Sequence, residues 1–374
     1  MKASQAIFRH AQGSLASAQH AAARTSTALQ NAPRSTTTGG ARALSCAPVR
    51  ALSSTAIRRE PPTDNPSHAS MIDHVTDYPH IHERDPDDHG HNTTGGGVGR
   101  HTSRTLASLS MEGKTCVVTG GARGLGNLFV RTFVESGSNS VVILDLDAEQ
   151  ARKAAQDVVD WFVEHGEAEE GEISATGIGC NVADEESVKA AFAQIKESHG
   201  TLDVLVNSAG ICHNYQAMDY PTEKYKQLMS INVDGSFFCA REAAKLMSTD
   251  YGAKGGSIIL VGSMSGSIIN IPQPQTPYNS SKSAVKHMAA SLGVEWAGKK
   301  IRVNSLAPGY MQTSLLKAVL SSNQALAEKW ESMTPMGRLG DPEDLKGAIV
   351  FLASDASKFV TGVDLRVDGG YCTT

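Results

Sequence analysis

From Thr105 to the end of the chain, short apolar runs alternate with longer stretches whose apolar residues recur every three or four positions. The short runs predict seven strands, at 115–119, 141–144, 173–180, 204–206, 257–261, 301–305 and 365–367. Helical patterns fall between them, for example at 187–198 and 278–297. Strand–helix alternation of this kind predicts a parallel sheet covered on both faces. The expected fold is therefore α/β, a doubly wound, Rossmann-like parallel sheet in a single domain over 105–374. No internal repeat is visible.

The N-terminal part breaks the pattern. Residues 1–59 hold eight Lys or Arg and no Asp or Glu, and are rich in Ser, Ala and Thr. The stretch 3–24 can form a short amphipathic helix with Ile7, Phe8 and Leu15 on one side. This composition reads as a mitochondrial transit peptide, and so as a matrix location. The alternative is a disordered basic tail on a cytoplasmic protein. Arg42-Ala43-Leu44-Ser45 and Arg50-Ala51-Leu52-Ser53 are both candidate processing sites. Residues 60–104 read as a disordered linker, with Pro61, Pro62, a run of glycine and seven histidines. His89 and His91, beside Asp87 and Asp88, invite a metal reading. A solvated, low-complexity stretch has no fixed geometry to enforce coordination, so no metal is expected.

Charge and cysteine usage narrow the classes. Removing the eight N-terminal cations from the chain's 34 leaves 26 against 39 acidic residues, a formal −13 for residues 60–374. An acidic body without a basic stripe is a poor nucleic-acid binder. No apolar run approaches the roughly 20 residues a membrane helix needs. The six cysteines form no CxxC pair, which argues against a disulfide scaffold or zinc site and fits a reducing compartment.

The first predicted strand runs into Gly120-Gly121-Ala122-Arg123-Gly124-Leu125-Gly126, and a helical pattern follows at once. Glycines let backbone approach a pyrophosphate, and a helix N-terminus offers free N–H groups and a positive dipole end. The second strand leads to Asp145, 19 residues after Gly126. A carboxylate there can accept from the adenosine ribose hydroxyls and repels a 2′-phosphate, which favours NAD over NADP. Arg123 leaves NADP open, because a cation in the loop can accommodate that phosphate. Asp147 reads as a helix cap or a solvated acid.

The segment Tyr278-Asn279-Ser280-Ser281-Lys282 opens a predicted helix, with Tyr278 and Lys282 on one face. A nearby ammonium favours phenolate, so the pair can act as a general acid/base. Ser263, 15 residues earlier at a strand end, can bind a substrate oxygen, and Ser265 is its rival. Asn207-Ser208-Ala209-Gly210 ends the fourth strand, and Asn232 sits in a predicted long helix where a buried amide needs partners.

These elements, in this order, resemble the short-chain dehydrogenase/reductase family over about 110–374. The matching pieces are TGGARGLG, NSAG, Asn232, Ser263, YNSSK, Pro308-Gly309 with Thr313, and the closing VDGGY. The resemblance implies a nicotinamide-dependent oxidoreductase interconverting a secondary alcohol and a ketone. It implies Tyr278 as proton donor or acceptor, Lys282 lowering its pKa and holding the ribose, and Ser263 orienting the substrate. It implies Asn232 holding a water in the proton relay. Cofactor contacts are implied at Gly120, Arg123, Gly124, Leu125, Gly126, Asp145, Asn181, Val182, Asn207, Ala209, Gly210, Tyr278, Lys282, Pro308, Gly309 and Thr313. Two departures stand out: Asn207-Ser208 where the family has Asn-Asn, and Asn181-Val182 where it has Asp-Val. Both keep hydrogen-bonding groups and imply adjustment on the adenine side. Self-association, as dimer or tetramer, is implied as well.

The stretch MSGSIINIPQPQTPYN, with Val294-Glu295-Trp296 and APGYMQTSL, resembles the fungal polyol dehydrogenases of that family. This implies a polyol such as D-arabinitol, oxidised to D-ribulose. Gln273 and Gln275 can offer amides to a hydroxyl-rich substrate, or the proline-stiffened loop can be a turn without substrate contact. The segment 314–335 is expected to close over the substrate. Two other readings remain: an NADP-linked ketose or carbonyl reductase, and a non-catalytic dinucleotide sensor on the same fold.

Overall fold

The structure is a computed structural model that describes residues 105–313, 316, 317, 320 and 323–373. The transit-peptide and linker expectations, on 1–59 and 60–104, lie outside the described residues. Seven parallel strands form one sheet: β1 (Thr115–Thr119), β2 (Ser140–Asp145), β3 (Ser174–Gly179), β4 (Val204–Asn207), β5 (Gly256–Val261), β6 (Ile301–Pro308) and β7 (Asp364–Val367), in the order β3-β2-β1-β4-β5-β6-β7.

Successive side chains of a strand point to opposite faces, and here both faces are apolar. Cys116 and Val118 of β1, Val141 and Ile143 of β2, and Val204 and Val206 of β4 enter one cluster. There they meet α1 (Gly124–Glu135), through Phe129 and Phe133, and α2 (Ala148–Glu164), through Ala151, Val158 and Phe162. Val117, Val142, Leu144, Leu205, Ile258 and Leu260 enter the other. That cluster is closed by α3 (Glu185–His199), by α5 (Gly235–Met247), which follows α4 (Thr222–Met229), and by α6 (Thr276–Glu295). Two further helices, α7 (Gln324–Ser332) and α8 (Lys346–Ala353), precede β7. Asp147 caps α2, accepting from the Glu149 and Gln150 amides.

Two expectations on element boundaries change. The helix carrying Tyr278 begins two residues earlier, at Thr276, because Pro277 is well suited to a first helical turn. Asn232 lies in a long helical stretch, as expected, but not in a regular α-helix. A π-helical turn, Ser230–Asp234, separates α4 from α5, and the Gly235 amide reaches back to the Ser230 carbonyl. One extra residue in the turn re-aims the side chains around Asn232.

The strand order reverses direction between β1 and β4. In open α/β sheets the crevice beyond the carboxyl ends at such a point is where ligands bind. β1 ends at Thr119, β4 at Asn207 and β5 at Val261, directly before the glycine turn, the NSAG segment and Ser263.

Candidate active site

The glycine turn is built by close backbone approach. Gly120 has φ +64°, and a Cβ there would lie 2.9 Å from the Ala209 Cα. So the turn after β1 abuts the segment after β4, and the Ala209 amide donates to Thr119 Oγ1 at 3.1 Å. A Cβ on Gly126 would sit 2.2 Å from the Gly120 carbonyl oxygen. Gly124 has φ +58° and open space where its Cβ would be. Arg123 occupies the N-cap of α1 without a side-chain cap, and no acid lies in the first turn. The N-terminal amides of α1 therefore remain available to an anion, which fits a pyrophosphate.

Asp145 is the last residue of β2, and its Oδ2 accepts from the Ala122 amide at 3.1 Å. One carboxylate oxygen thus shapes the glycine turn. Arg123 is exposed and makes no ion pair among the described residues. Val182, Asn207 and Ala209 line one small cleft with Thr119, Ile231, Gly235 and Ser236. Asn207 ties β4 to α5 by donating to the Ser236 carbonyl at 2.9 Å, and its own Oδ1 is buried without a partner. Asn181 is exposed and closes a local turn, its Oδ1 accepting from the Ala183 amide at 3.2 Å.

Lys282 is buried, 7% exposed, and its Nζ donates to the Val261 carbonyl at 2.8 Å. That Nζ lies 5.7 Å from the centroid of the Tyr278 ring. Burial lowers the ammonium to about 8, against a small opposing effect of Cys212. Burial also pushes the Tyr278 phenol well above its ordinary value; nearby Cys212 and Tyr310 add to this, and a hydrogen bond with Ser263 opposes it. The expected lowering by Lys282 is therefore not the dominant effect on the protein alone. Desolvation sets the direction for Tyr278, and a positive charge such as an oxidised nicotinamide carries would favour the phenolate.

Burial separates the two serines. Ser263 Oγ caps the turn after β5, accepting from the Ser265 amide at 3.1 Å, and it lies near enough to the Tyr278 phenol to oppose the effect of burial on it. Ser265 is only 4% exposed and lies behind it, its Oγ accepting from Ser263 Oγ at 3.0 Å.

Asn232 is 1% exposed and heavily engaged. Its amide exchanges two 2.9 Å hydrogen bonds with the backbone of Ile211 and donates to Ser281 Oγ at 3.0 Å. Both amide protons are used, so a water in a relay could meet only an oxygen of this residue. Gly210 passes beside it: a Cβ there would lie 3.3 Å from Asn232 Oδ1 and 3.7 Å from Lys282 Nζ. Thus Asn232 joins the NSAG segment to the helix that carries Tyr278 and Lys282.

Pro308 ends β6, and the Gly309 amide donates to the Val367 carbonyl at 2.9 Å. Gly309 faces a separate cavity of about 230 Å³, lined also by Met311, Thr334, Arg338 and Asp368. Thr313 caps the turn that follows, its Oγ1 accepting from the Leu316 amide at 3.3 Å.

The residue the sequence reading passed over is Tyr310. Its hydroxyl accepts from Asn270 Nδ2 at 2.9 Å and Gln273 Nε2 at 2.7 Å. Its ring stacks on Trp330 of α7, with centroids 4.0 Å apart. The only signal in the sequence is its place directly after Pro308-Gly309. Gln275, by contrast, is a structural amide, 6% exposed, with its nitrogen donating to Asn270 Oδ1 and Asn279 Oδ1, both at 2.9 Å. Among the described residues no cluster of metal-ligating side chains occurs and no helix is long and apolar enough to cross a membrane.

Known proteins resemble this chain in sequence and fold. A family model described as enoyl-(acyl carrier protein) reductase matches residues 120–372. The chain is 40% identical over 275 residues to D-arabinitol 2-dehydrogenase (ribulose-forming) of Scheffersomyces stipitis, covering 72% of this chain and 97% of that protein. It is 36% identical over 269 residues to an NADH-dependent L-xylulose reductase of Ambrosiozyma monospora, covering 71% and 97%. Among solved structures, a short-chain type dehydrogenase/reductase from Mycobacterium marinum is 33% identical with a TM-score of 0.63, covering 72% of this chain and 99% of its own. A gluconate 5-dehydrogenase from Burkholderia cenocepacia, in complex with NADP and tartrate, is 32% identical with a TM-score of 0.65, covering 72% and 100%. A likeness spanning nearly the whole of each relative is more than a shared nucleotide loop: the chain belongs to the short-chain dehydrogenase/reductase family of NAD(P)-dependent oxidoreductases.

Proposed function

We propose that this protein is a polyol dehydrogenase that oxidises a secondary hydroxyl of a sugar alcohol, such as D-arabinitol to D-ribulose, with NAD. The observation that carries the reading is buried Lys282, bonded to the end of β5 two residues before Ser263 and 5.7 Å from the Tyr278 ring, at the carboxyl edge of the sheet. The names of the 40% identical relatives support the substrate class. The bound nicotinamide supplies the hydride chemistry. Ser263 holds the reacting oxygen, and the Tyr278 hydroxyl takes its proton in oxidation and returns it in reduction. Lys282 keeps a positive charge near that phenol, and Asn232 holds the helix bearing both against the NSAG segment.

The carboxylate of Asp145 supports NAD as the preferred cofactor. Exposed, unpaired Arg123 supports the alternative, an NADP-linked ketose reductase. The presence of Ser263, Tyr278 and Lys282 together argues against a non-catalytic dinucleotide sensor. The deciding experiment is a panel of polyols and ketoses assayed with NAD and NADP. D-arabinitol should be turned over with NAD, releasing D-ribulose. Silence with every polyol would refute the substrate class, and a strong preference for NADP would refute the cofactor.

Two further parts of the reading rest on the sequence and on family membership. The acid-free segment 1–59 supports import into the mitochondrial matrix with loss of that segment; protein recovered from cells that still begins at Met1 would sink this. Family membership supports a homodimer or homotetramer, and the exposed Phe359 and Val363 just before β7 offer apolar surface for it. Sedimentation of a purely monomeric species would refute self-association.

A further inference from the structure

The loop between Ser263 and Tyr278 carries two glutamines that the chemistry above does not use, and the structure separates them. The Gln275 nitrogen spends both protons on Asn270 and Asn279 and braces the loop from within. Gln273 is half-buried and held only through its nitrogen, which donates to the Tyr310 hydroxyl. Its Oε1 is buried and has no hydrogen-bond partner. Tyr310 is itself fixed, by a second amide from Asn270, by pairing with Tyr371 and by the stack on Trp330. Its phenol is also close enough to Tyr278 to bear on that group electrostatically.

We propose that Gln273 is a specificity-determining residue whose amide oxygen accepts a second hydroxyl of the substrate, and that Tyr310 is the positioning residue that holds this amide over the site. The inference rests on the polyol reading given above. A buried acceptor without a partner carries a penalty of about 1–3 kcal/mol, which a ligand hydroxyl relieves and an alkyl group does not. Such an acceptor gives up no hydrogen bond when a ligand hydroxyl reaches it, and the amide nitrogen keeps its bond to Tyr310. Sites built to hydrogen-bond a hydroxyl discriminate strongly against analogues that lack it. The class of substrate selected is therefore one with a hydroxyl close to the reacting carbon, as in a sugar alcohol or ketose.

The test compares Gln273→Met and Tyr310→Phe with the wild-type full chain. Both variants keep side-chain bulk, and Tyr310→Phe keeps the stack on Trp330. For D-arabinitol oxidation, KM should rise about 10-fold or more while kcat stays within about threefold. Reduction of a ketone without hydroxyls, cyclohexanone, should change less than about twofold. An unchanged KM for D-arabinitol, or an equal loss on cyclohexanone, overturns the proposal while leaving the polyol reading standing. A wild-type chain that reduces cyclohexanone but turns over no polyol or ketose overturns both.

Discussion

Lys282 Nζ donates to the carbonyl oxygen of Val261, the last residue of β5, two residues before Ser263. One hydrogen bond thus ties the cation of α6 to the strand that presents the substrate-side serine. The charge is held where water is largely excluded, and this has a thermodynamic consequence.

Burial depresses Lys282 from 10.5 to about 8, so the unfolded chain binds more protons than the folded one between those values. Folding stability from this group rises with pH across that window and carries its full penalty below it. Lys282→Met removes the penalty, so the stability of this variant relative to wild type should fall by roughly 3 kcal/mol as pH rises from below 8 to above 10.5. Denaturant melts at several pH values read this directly; a difference independent of pH would show that the amine keeps its ordinary pKa in the fold.

Tyr278→Phe should lower kcat by about 10²- to 10⁴-fold, the span of a general acid/base contribution. The ring and its place beside Lys282 survive, so cofactor affinity from fluorescence titration should hold within about threefold. Retained turnover would transfer the proton step to another group, and lost cofactor affinity with no loss of an assayable activity would favour a sensor.

Asp145→Asn keeps an oxygen for the Ala122 amide but removes the negative charge at the end of β2. The kcat/KM ratio of NADP to NAD should rise at least about 10-fold, equivalent to about 1.4 kcal/mol. An unchanged ratio would place cofactor choice elsewhere, with Arg123 the next residue to replace.

The glycines can be ranked by the space beside them. Gly126→Ala puts a Cβ 2.2 Å from the Gly120 carbonyl oxygen and should weaken cofactor binding, with destabilisation of about 1–3 kcal/mol from overpacking. Gly347, inside α8, meets nothing within 4 Å, and Gly347→Ala should stabilise by about 0.5–1 kcal/mol. Thermal melts of the two variants should move in opposite directions.

Much of the fold was legible because its signals are local. Alternation of apolar residues placed all seven strands, with shifts of a few residues at their ends, such as β6 running on to Pro308. The glycine spacing located the cofactor turn, since only glycine permits the contacts at Gly120 and Gly126. The π-turn inside the helix at Asn232 was not legible. No residue type marks it locally, and the hydrogen bonds Asn232 makes there go to partners far along the chain, Ile211 and Ser281.

By itself the sequence determined the doubly wound sheet, the glycine turn followed by Asp145, and the spacing of Tyr278 and Lys282, because each follows from residue type and short-range spacing. The tertiary structure separated Ser263 from Ser265 and Gln273 from Gln275, and brought in Tyr310. Those outcomes depend on which hydroxyl or amide finds its partners within the fold. Hydrogen bonds joining positions 270, 273 and 310 form only when the ends of β5 and β6 are brought side by side.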